Sequence, residues 1–316
     1  MLKLINQKVG IIITCLLIST IGFPQFRVVG YVPLGRTIPD FNKVSFQRLT
    51  HLNIAFINPD STGNLIVRDG FDSLIQKAHE HKVKVLASIG GGSFNPYYSS
   101  LLSDSNRKAF TGQLVQLVID HKLDGLDVDI ENDNIDGNYE KFIVGLAEEL
   151  RRIDKLLTAA LATWNAHLIS DAALEKFHFI NVMSYDQTGP WRPNQPGPHS
   201  TYAKAKEDLR YWRKTRKMPK RKLSLGVPFY GYCFGTKYGE SMSYRDIITN
   251  FPGADQQDQV VPDGGGIIHY NGLPTIKSKT ALAVKKAGGI MIWQLLQDAE
   301  GNDSLLAAIH DLIKVK

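Results

Sequence analysis

The sequence predicts an α/β fold, a (β/α)8 TIM barrel, on three observations. Eight short runs rich in Val, Ile, Leu and Phe recur along the 316 residues. Several of these runs are apolar on both faces, as the strands of a buried parallel sheet are. Stretches with the period of a helix separate them. Eight strands that alternate with helices are typical of a closed barrel, with a doubly wound open sheet as the alternative.

The predicted strands follow one another at intervals that each leave room for a helix. They cover 27–32, 50–57, 83–89, 125–130, 157–163, 179–184, 223–229 and 289–295. Between the fourth and fifth strands, Phe142, Ile143 and Leu146 lie on one helical stripe. That helix is predicted to begin after Asn138, and the last helix of the chain after Asp303.

The N-terminus has the pattern of a secretory signal peptide. Lys3 and Lys8 precede an uncharged stretch at 9–21, which is too short for a typical membrane span. We therefore expect a signal peptide over 1–22 that is cleaved and leaves one catalytic barrel domain over 23–316. This predicts a secreted, periplasmic or cell-surface protein without stable membrane insertion after signal removal; an uncleaved anchor is the alternative.

Composition gives no indication of a nucleic-acid, metal or phosphate partner. The 37 basic and 31 acidic residues leave a formal charge of +6, with 43% apolar and 22% charged residues, which excludes a collagen, a coiled coil or a largely disordered chain. The basic run 210–222 contains few aromatic residues and leads into the seventh strand, away from the usual active face of a barrel. No Cys/His cluster has zinc spacing. We expect a monomer without a metal ion.

The most informative segment is 124–131, with the sequence DGLDVDIE. Because alternate residues of a strand point to opposite faces, Asp127, Asp129 and Glu131 are predicted to face inward, with roughly 6.5–7 Å between alternate Cα atoms. Like charges in a buried site resist ionisation, so at least one carboxyl group is expected to hold a proton near neutral pH. That is the requirement for a general acid. A magnesium or calcium site is the alternative, although calcium loops are glycine-punctuated turns.

This DGxDxDxE element resembles the signature of family 18 glycoside hydrolases, the chitinase family. Four further segments agree with that family in order along the chain, from about Val28 to Asp298. They are the SIGG segment at 88–91, the MSYD segment at 183–186, the GVPFYG segment at 226–231 and the tryptophan at 293.

The resemblance implies a substrate-assisted retaining mechanism without a metal or organic cofactor. It implies that Glu131 protonates the glycosidic oxygen and that Asp129 orients the 2-acetamido group of the substrate. Asp127 would share a proton with Asp129, and Tyr185 would donate a hydrogen bond to the acetamido carbonyl.

Aromatic side chains are expected to bind the sugar, because pyranose faces carry C–H groups that pack on rings. The expected partner is a GlcNAc-containing oligosaccharide or polysaccharide. Trp293 is predicted to form the floor of the site. The other predicted substrate-binding residues are Tyr31 and Phe56 as walls, Trp164 and Trp191 along the cleft, Met183 near the acetamido methyl group and Asp186 on sugar hydroxyls.

Two features depart from the family pattern. Gln187 and Thr188 stand where many members have an aromatic residue. Some members carry a sizeable α+β insertion between the seventh and eighth strands, whereas here the interval 230–288 is interpreted as a long loop and a helix near 278–287. The sequence therefore predicts a barrel without a full insertion domain.

Three functions are compatible with these residues. The first is hydrolysis of β-1,4-linked N-acetylglucosamine in chitin or chitooligosaccharides. The second is an endo-β-N-acetylglucosaminidase that acts on N-glycans or peptidoglycan-type polymers. The third is a lectin that binds chitin without cutting it; such proteins typically lose the terminal glutamate of the signature, and Glu131 is present.

Overall fold

Eight parallel strands close into a barrel in the computed structural model, which describes residues 26–35, 37–93 and 95–315. The barrel strands are β1 (Arg27–Pro33), β2 (His51–Ala55), β3 (Lys84–Gly91), β4 (Gly125–Ile130), β5 (Leu156–Leu161), β6 (Phe179–Val182), β7 (Leu223–Pro228) and β12 (Gly289–Trp293). Each strand pairs with the next along the chain, and β12 pairs with both β7 and β1. The predicted TIM barrel is confirmed. The predicted signal peptide, 1–22, lies outside the described residues.

Helices cover the outside of the barrel. They are α1 (Phe71–Glu80), α2 (Tyr97–Leu101), α3 (Arg107–Asp120), α4 (Tyr139–Arg152), α5 (Asp171–Lys176), α6 (Tyr202–Arg210), α7 (Tyr244–Asn250), α8 (Leu273–Lys286) and α9 (Leu305–Lys314). α4 follows Asn138, as predicted. The predicted start of the last helix is wrong by one residue, because Asp303 lies in a 3-10 turn. Ser304 caps α9 instead, and its hydroxyl accepts from the Ala307 amide at 3.0 Å.

The interval 230–288 contains the predicted helix as α8, which begins earlier than predicted, but the rest of the interval is not the predicted long loop. It contains β8 (Tyr230–Phe234), β9 (Ser241–Ser243), β10 (Gln259–Val260) and β11 (Ile267–His269), which form an antiparallel sheet in the order β10-β11-β8-β9. Three of these strands have only two or three residues, which is too short for an alternating pattern to be visible in the sequence. The small sheet places β8 directly after β7, beside the carboxyl end of the barrel.

The apolar core lies mainly between the strands and the helices, and a smaller cluster fills the barrel interior. The interior cluster consists of Val29, Tyr31, Ala55, Phe179 and Met291. Buried polar side chains, among them Asp127, Thr158 and Asn181, share the lumen with this cluster.

The basic segment 210–222 lies at the amino-terminal face, as predicted, because it leads into the first residue of β7. Several of its cations bind backbone carbonyl groups. The Lys220 ammonium donates to the Val284 carbonyl at 2.8 Å, and the Lys222 ammonium donates to the Glu175 carbonyl at 2.9 Å. These contacts tie the segment to neighbouring helices and turns.

Candidate active site

Alternation along β4 places three carboxyl groups on the inner side of the barrel, as predicted. Leu126, Val128 and Ile130 are buried in the outer core. Asp129 and Glu131 line a cavity of about 900 Å³ at the carboxyl ends of the strands. This end of a TIM barrel is where catalytic side chains lie in known enzymes.

Asp127 lies deepest in the barrel, and its carboxyl group accepts hydrogen bonds from neighbouring strands. The Tyr31 and Ser88 hydroxyls donate to Oδ2 at 2.6 and 2.8 Å, and the Thr158 hydroxyl and the Asn181 amide donate to Oδ1 at 2.6 and 3.4 Å. Burial raises the pKa of Asp127, and these hydrogen bonds oppose the rise. Asp127 therefore lies beside Asp129 and accepts hydrogen bonds from groups on β1, β3, β5 and β6.

Asp129, one step closer to the cavity, is much less well satisfied. Among the described residues, no group forms a hydrogen bond with its buried Oδ1 atom. Burial, followed by the negative charges of Glu131 and Asp127, raises the pKa of Asp129 well above its usual range. The carboxyl group therefore holds a proton readily and presents a free oxygen acceptor near the cavity.

Glu131 follows the last residue of β4 and has the pKa that a general acid needs near neutral pH. Burial, with a contribution from the charge of Asp186, raises the pKa of Glu131 to about 7. Gly90 allows the close approach of β3 to this strand. Its φ is +106°, and a Cβ atom there would lie 2.3 Å from the Asp129 carbonyl oxygen.

Tyr185 and Asp186 reach the same cavity from the loop after β6. Burial and the surrounding carboxyl groups raise the pKa of Tyr185 well above its usual range, so its hydroxyl remains a hydrogen-bond donor. Asp186 has a left-handed backbone, with φ of 59°. Its Oδ1 atom accepts from the Tyr230 hydroxyl and lies 3.2 Å from the His199 Nδ1 atom.

His199 and Tyr230 are contacts that the sequence did not assign. Tyr230 lies inside the GVPFYG segment, so the family resemblance could have drawn attention to it. His199 lies in a Gly/Pro-rich loop between β6 and α6, where neither periodicity nor a motif marks it.

The predicted aromatic residues separate into two groups. Trp293 and Phe56 line the cavity, and their ring centroids lie 5.7 Å apart in a stacked arrangement. Tyr31 is buried below Trp293, with 5.5 Å between the ring centroids, and its hydroxyl binds Asp127. The structure therefore differs from the prediction of Tyr31 as a cavity wall, because its side chain points into the barrel lumen beneath the floor.

The far side of the cavity carries two exposed indoles. Trp164 is 57% exposed and Trp191 is 56% exposed, and both line the cavity. Met183 also lines the cavity. All predicted site residues except Tyr31 and Asp127 thus surround one cavity.

Over 26–35, 37–93 and 95–315, no helix has the length and apolarity needed to cross a membrane. In the same part of the chain, no three His, Cys, Asp or Glu side chains cluster as metal ligands would.

A closed parallel barrel with a row of carboxyl groups at its mouth has the architecture of a barrel glycosidase. The family model described as Glycosyl hydrolases family 18 matches residues 27–298, and the chain belongs to this family. A solved chitinase from the chitin utilization locus of Flavobacterium johnsoniae is 39% identical, with a TM-score of 0.85 over 92% of this chain and 94% of that one. A chitinase structure from Bacteroides thetaiotaomicron is 28% identical, with a TM-score of 0.78 over 92% and 96%.

Curated relatives include proteins that are named chitinase-like. A chitinase-like effector of Moniliophthora roreri is 29% identical over 71% of this chain, and the match spans 62% of that protein's length. Human chitinase-3-like protein 2 is 24% identical over 79% of each chain. The family is therefore shared by chitinases and by proteins named only as similar to them.

Proposed function

We propose that the protein is a secreted glycoside hydrolase that cleaves β-1,4-linked N-acetylglucosamine in chitin or chitooligosaccharides. The observation that carries this proposal is the unpartnered Oδ1 atom of Asp129, which lies beside Glu131 at the cavity. An acetamido N–H group of a bound sugar would supply the missing donor. The 39% identity to a chitinase over nearly the whole chain supports the same substrate class.

Glu131 acts first as the general acid. With a pKa raised to about 7, it carries its proton over much of the physiological range and transfers it to the glycosidic oxygen as the bond breaks. Once the leaving sugar has departed, Glu131 is ionised and accepts a proton from the attacking water. The acid and the base are therefore the same residue in two half-reactions.

The nucleophile is the carbonyl oxygen of the substrate's own acetamido group. It attacks the anomeric carbon and forms an oxazolinium ion, so that the configuration is retained after water opens the ring. Asp129 accepts a hydrogen bond from the acetamido N–H group and stabilises the developing positive charge, while the Tyr185 hydroxyl orients the acetamido carbonyl. Asp127, held by its four donors, adds a second carboxyl group below Asp129.

Trp293 forms the floor on which the sugar at the cleavage point packs. Its ring is fixed by Phe56 at one side and by Tyr31 below. Trp164 and Trp191 extend the apolar surface to the sugars on the far side of the cavity. The protein acts as a monomer, and 1–22 is the signal peptide that directs its export.

The test uses the full chain, its Glu131→Gln variant and a panel of glycans. Chitohexaose, a high-mannose glycopeptide and a peptidoglycan fragment are incubated with each protein, and products are measured by mass spectrometry. We expect chitooligosaccharide products from the wild type only, with Glu80→Gln on the surface of α1 as an active control. Cleavage of the glycopeptide or peptidoglycan alone would favour the endo-β-N-acetylglucosaminidase. Binding without products would favour a lectin.

A further inference from the structure

His199 is a buried histidine that touches the candidate site from behind. It lies between β6 and α6 and is fully buried. Its Nδ1 atom is 3.2 Å from the Asp186 Oδ1 atom, and its Nε2 atom has no hydrogen-bond partner among the described residues. The contact with Asp186 is therefore the one side-chain hydrogen bond that the buried imidazole makes among the described residues.

The direction of this hydrogen bond follows from its partner. The Asp186 Oδ1 atom also receives the Tyr230 hydroxyl, so it acts as an acceptor towards both neighbours. The His199 Nδ1 atom must therefore carry the proton and donate it, because an ionised carboxylate has no donor of its own. The carboxylate of Asp186 is thus held between a hydroxyl and an imidazole.

The rest of the structure fixes the imidazole in place. The His199 carbonyl accepts from the Gln187 amide at 3.1 Å, which closes the loop immediately after Asp186. The ring packs against Tyr230 and Tyr232, with centroids at 5.0 and 4.8 Å. Rotation of the ring away from the carboxylate would require both tyrosines to move.

Its chain neighbour is anchored as well. The buried ammonium group of Lys279 donates to the carbonyl and to the hydroxyl of Ser200, both at 2.7 Å. The Ser200 hydroxyl in turn donates to the Ser184 carbonyl at 2.6 Å, directly before the Tyr185–Asp186 pair. The segment that carries His199 is therefore bonded to the segment that carries Asp186.

Asp186 matters to Glu131 through its charge. It contributes, after burial, to the raised pKa of Glu131. The Asp186 side chain is 40% exposed, so without its fixed donors it could turn towards solvent and away from the cavity. Water would then screen its charge from Glu131.

We infer that His199 is a positioning residue that holds the Asp186 carboxylate at the cavity that Glu131 also lines, so that the charge of Asp186 stays close to the general acid. This inference rests on the proposed function, in which Glu131 is the acid. It assigns His199 no contact with the sugar or with the reacting atoms.

Other titratable groups face these residues and must stay constant in the test. Asp129 faces Glu131 from β4, and Tyr185 lies between them and Asp186. Tyr232 on β8 and His269 on β11 face His199 from the small sheet. Substitutions at position 199 leave all four groups in the protein.

The test compares two variants of His199. His199→Phe keeps a ring between the two tyrosines but has no donor, whereas His199→Asn places an amide N–H group where Nδ1 stands. The alkaline limb of the pH profile of kcat/KM reports the acid of the free enzyme. We expect His199→Phe to move that limb about 0.5–1 pH unit towards acid, and His199→Asn to restore it. His51→Phe, at a buried histidine of the amino end, is the matched control and should leave the limb in place.

Direct titration of Glu131 separates this inference from the proposed function. The carboxyl resonance of Glu131, assigned by its loss in Glu131→Gln, is followed against pH by 13C NMR in the wild type and in His199→Phe. A wild type without activity on any glycan would reject the proposed function, yet this titration would still measure the effect of His199. An unchanged Glu131 midpoint in His199→Phe, or an equal shift in both variants, overturns the inference. If His199→Phe does not fold, His199→Leu serves as the donor-free variant.

Discussion

The two ends of the barrel both bury charged groups, but they satisfy them to different extents. At the amino end, the guanidinium group of Arg27 donates to the Arg221 and Leu223 carbonyls at 2.7 and 3.3 Å. It also stacks over the Phe179 ring, with 4.3 Å to the centroid. At the carboxyl end, the Oδ1 atom of Asp129 has no partner within the described part of the chain.

The difference shows where the fold tolerates unfavourable electrostatics. Burial lowers the pKa of Arg27 to about 10, which leaves it charged at neutral pH and bonded to the chain. At the mouth, burial raises the pKa values of Asp127, Asp129 and Glu131, and nearby negative charges add to the rise at Asp129 and Glu131. The amino end contributes stability, whereas the mouth gives up stability for a site that awaits a ligand.

The largest expected effect is that of Asp129→Asn. The amide keeps the shape of the carboxyl group but removes the charge that would face the oxazolinium ion. We expect kcat on a chromogenic chitobioside to fall about 10²–10³-fold. Because the raised pKa of Asp129 makes folding take up a proton at pH 7 and the amide needs none, the free energy of unfolding should rise by about 1 kcal/mol in urea titrations at pH 7.

The control for that variant is Asp120→Asn, an exposed aspartate at the end of α3. Asp120→Asn should change neither kcat nor the free energy of unfolding. If Asp129→Asn lowered activity and stability together, the mouth would resemble the amino end, and the contrast between them would be lost.

The second prediction concerns the amino end, where a substitution should lower the stability of the protein and leave its activity unchanged. Arg27→Met removes the hydrogen bond to the Arg221 carbonyl and the stacking over Phe179, while the Leu223 carbonyl keeps the Gly288 amide as a donor at 2.9 Å, and we expect the free energy of unfolding to fall by about 1–2 kcal/mol. The value of kcat/KM should stay within about twofold, because no group of the cavity is touched. Lys84→Met, at an exposed lysine of the same end, is the control for the loss of a charge. A parallel loss of kcat would contradict the division between the two ends.

The sequence predicts the mouth better than it predicts what surrounds it. The alternation of Asp127, Asp129 and Glu131 with apolar residues fixes which side chains share a face, so the acidic row was predictable from one strand. The partners of Asp127 come from four other strands, and their register depends on barrel closure, which no local pattern encodes. Tyr31 illustrates this, because its position at a strand end suggested a wall whereas closure places it beneath the floor.

The remaining differences arise where local signals are weak. The strands β9, β10 and β11 are too short to show a period, so the interval 230–288 resembled a loop. His199 is buried by contacts with β8, a strand that this interval supplies. A residue whose burial depends on an unrecognised sheet could not be assigned before the structure.

The third prediction uses the pH dependence of stability to measure the strain at the mouth. Burial raises the pKa of Glu131 from its usual 4.5 to about 7, so the folded protein binds a proton that the unfolded chain releases. The stability that the protonated Glu131 contributes is fully present below pH 4.5 and is lost as the pH rises through 7. We expect Glu131→Gln to be more stable than the wild type by about 2 kcal/mol at pH 8 and equally stable at pH 4.

Urea unfolding at four pH values between 4 and 8 measures this difference. Glu80→Gln, at an exposed glutamate of α1, should track the wild type at every pH. A constant offset between Glu131→Gln and the wild type would show that Glu131 is not held in its protonated form.

The smallest expected effect is that of Trp164→Ala, at the edge of the cavity, which should weaken binding of a long substrate and leave stability unchanged. Trp164 is 57% exposed, so Trp164→Ala should change the free energy of unfolding by less than about 0.5 kcal/mol. If its indole binds a sugar beyond the cleavage point, KM for chitopentaose should rise about fivefold, close to 1 kcal/mol, while KM for a chromogenic disaccharide stays unchanged. Ile119→Ala, at a residue that is 49% exposed at the end of α3, is the matched change near the amino end and should alter neither KM. An equal rise in KM for both substrates would place the indole at the cleavage point instead, and no rise would remove it from the binding surface.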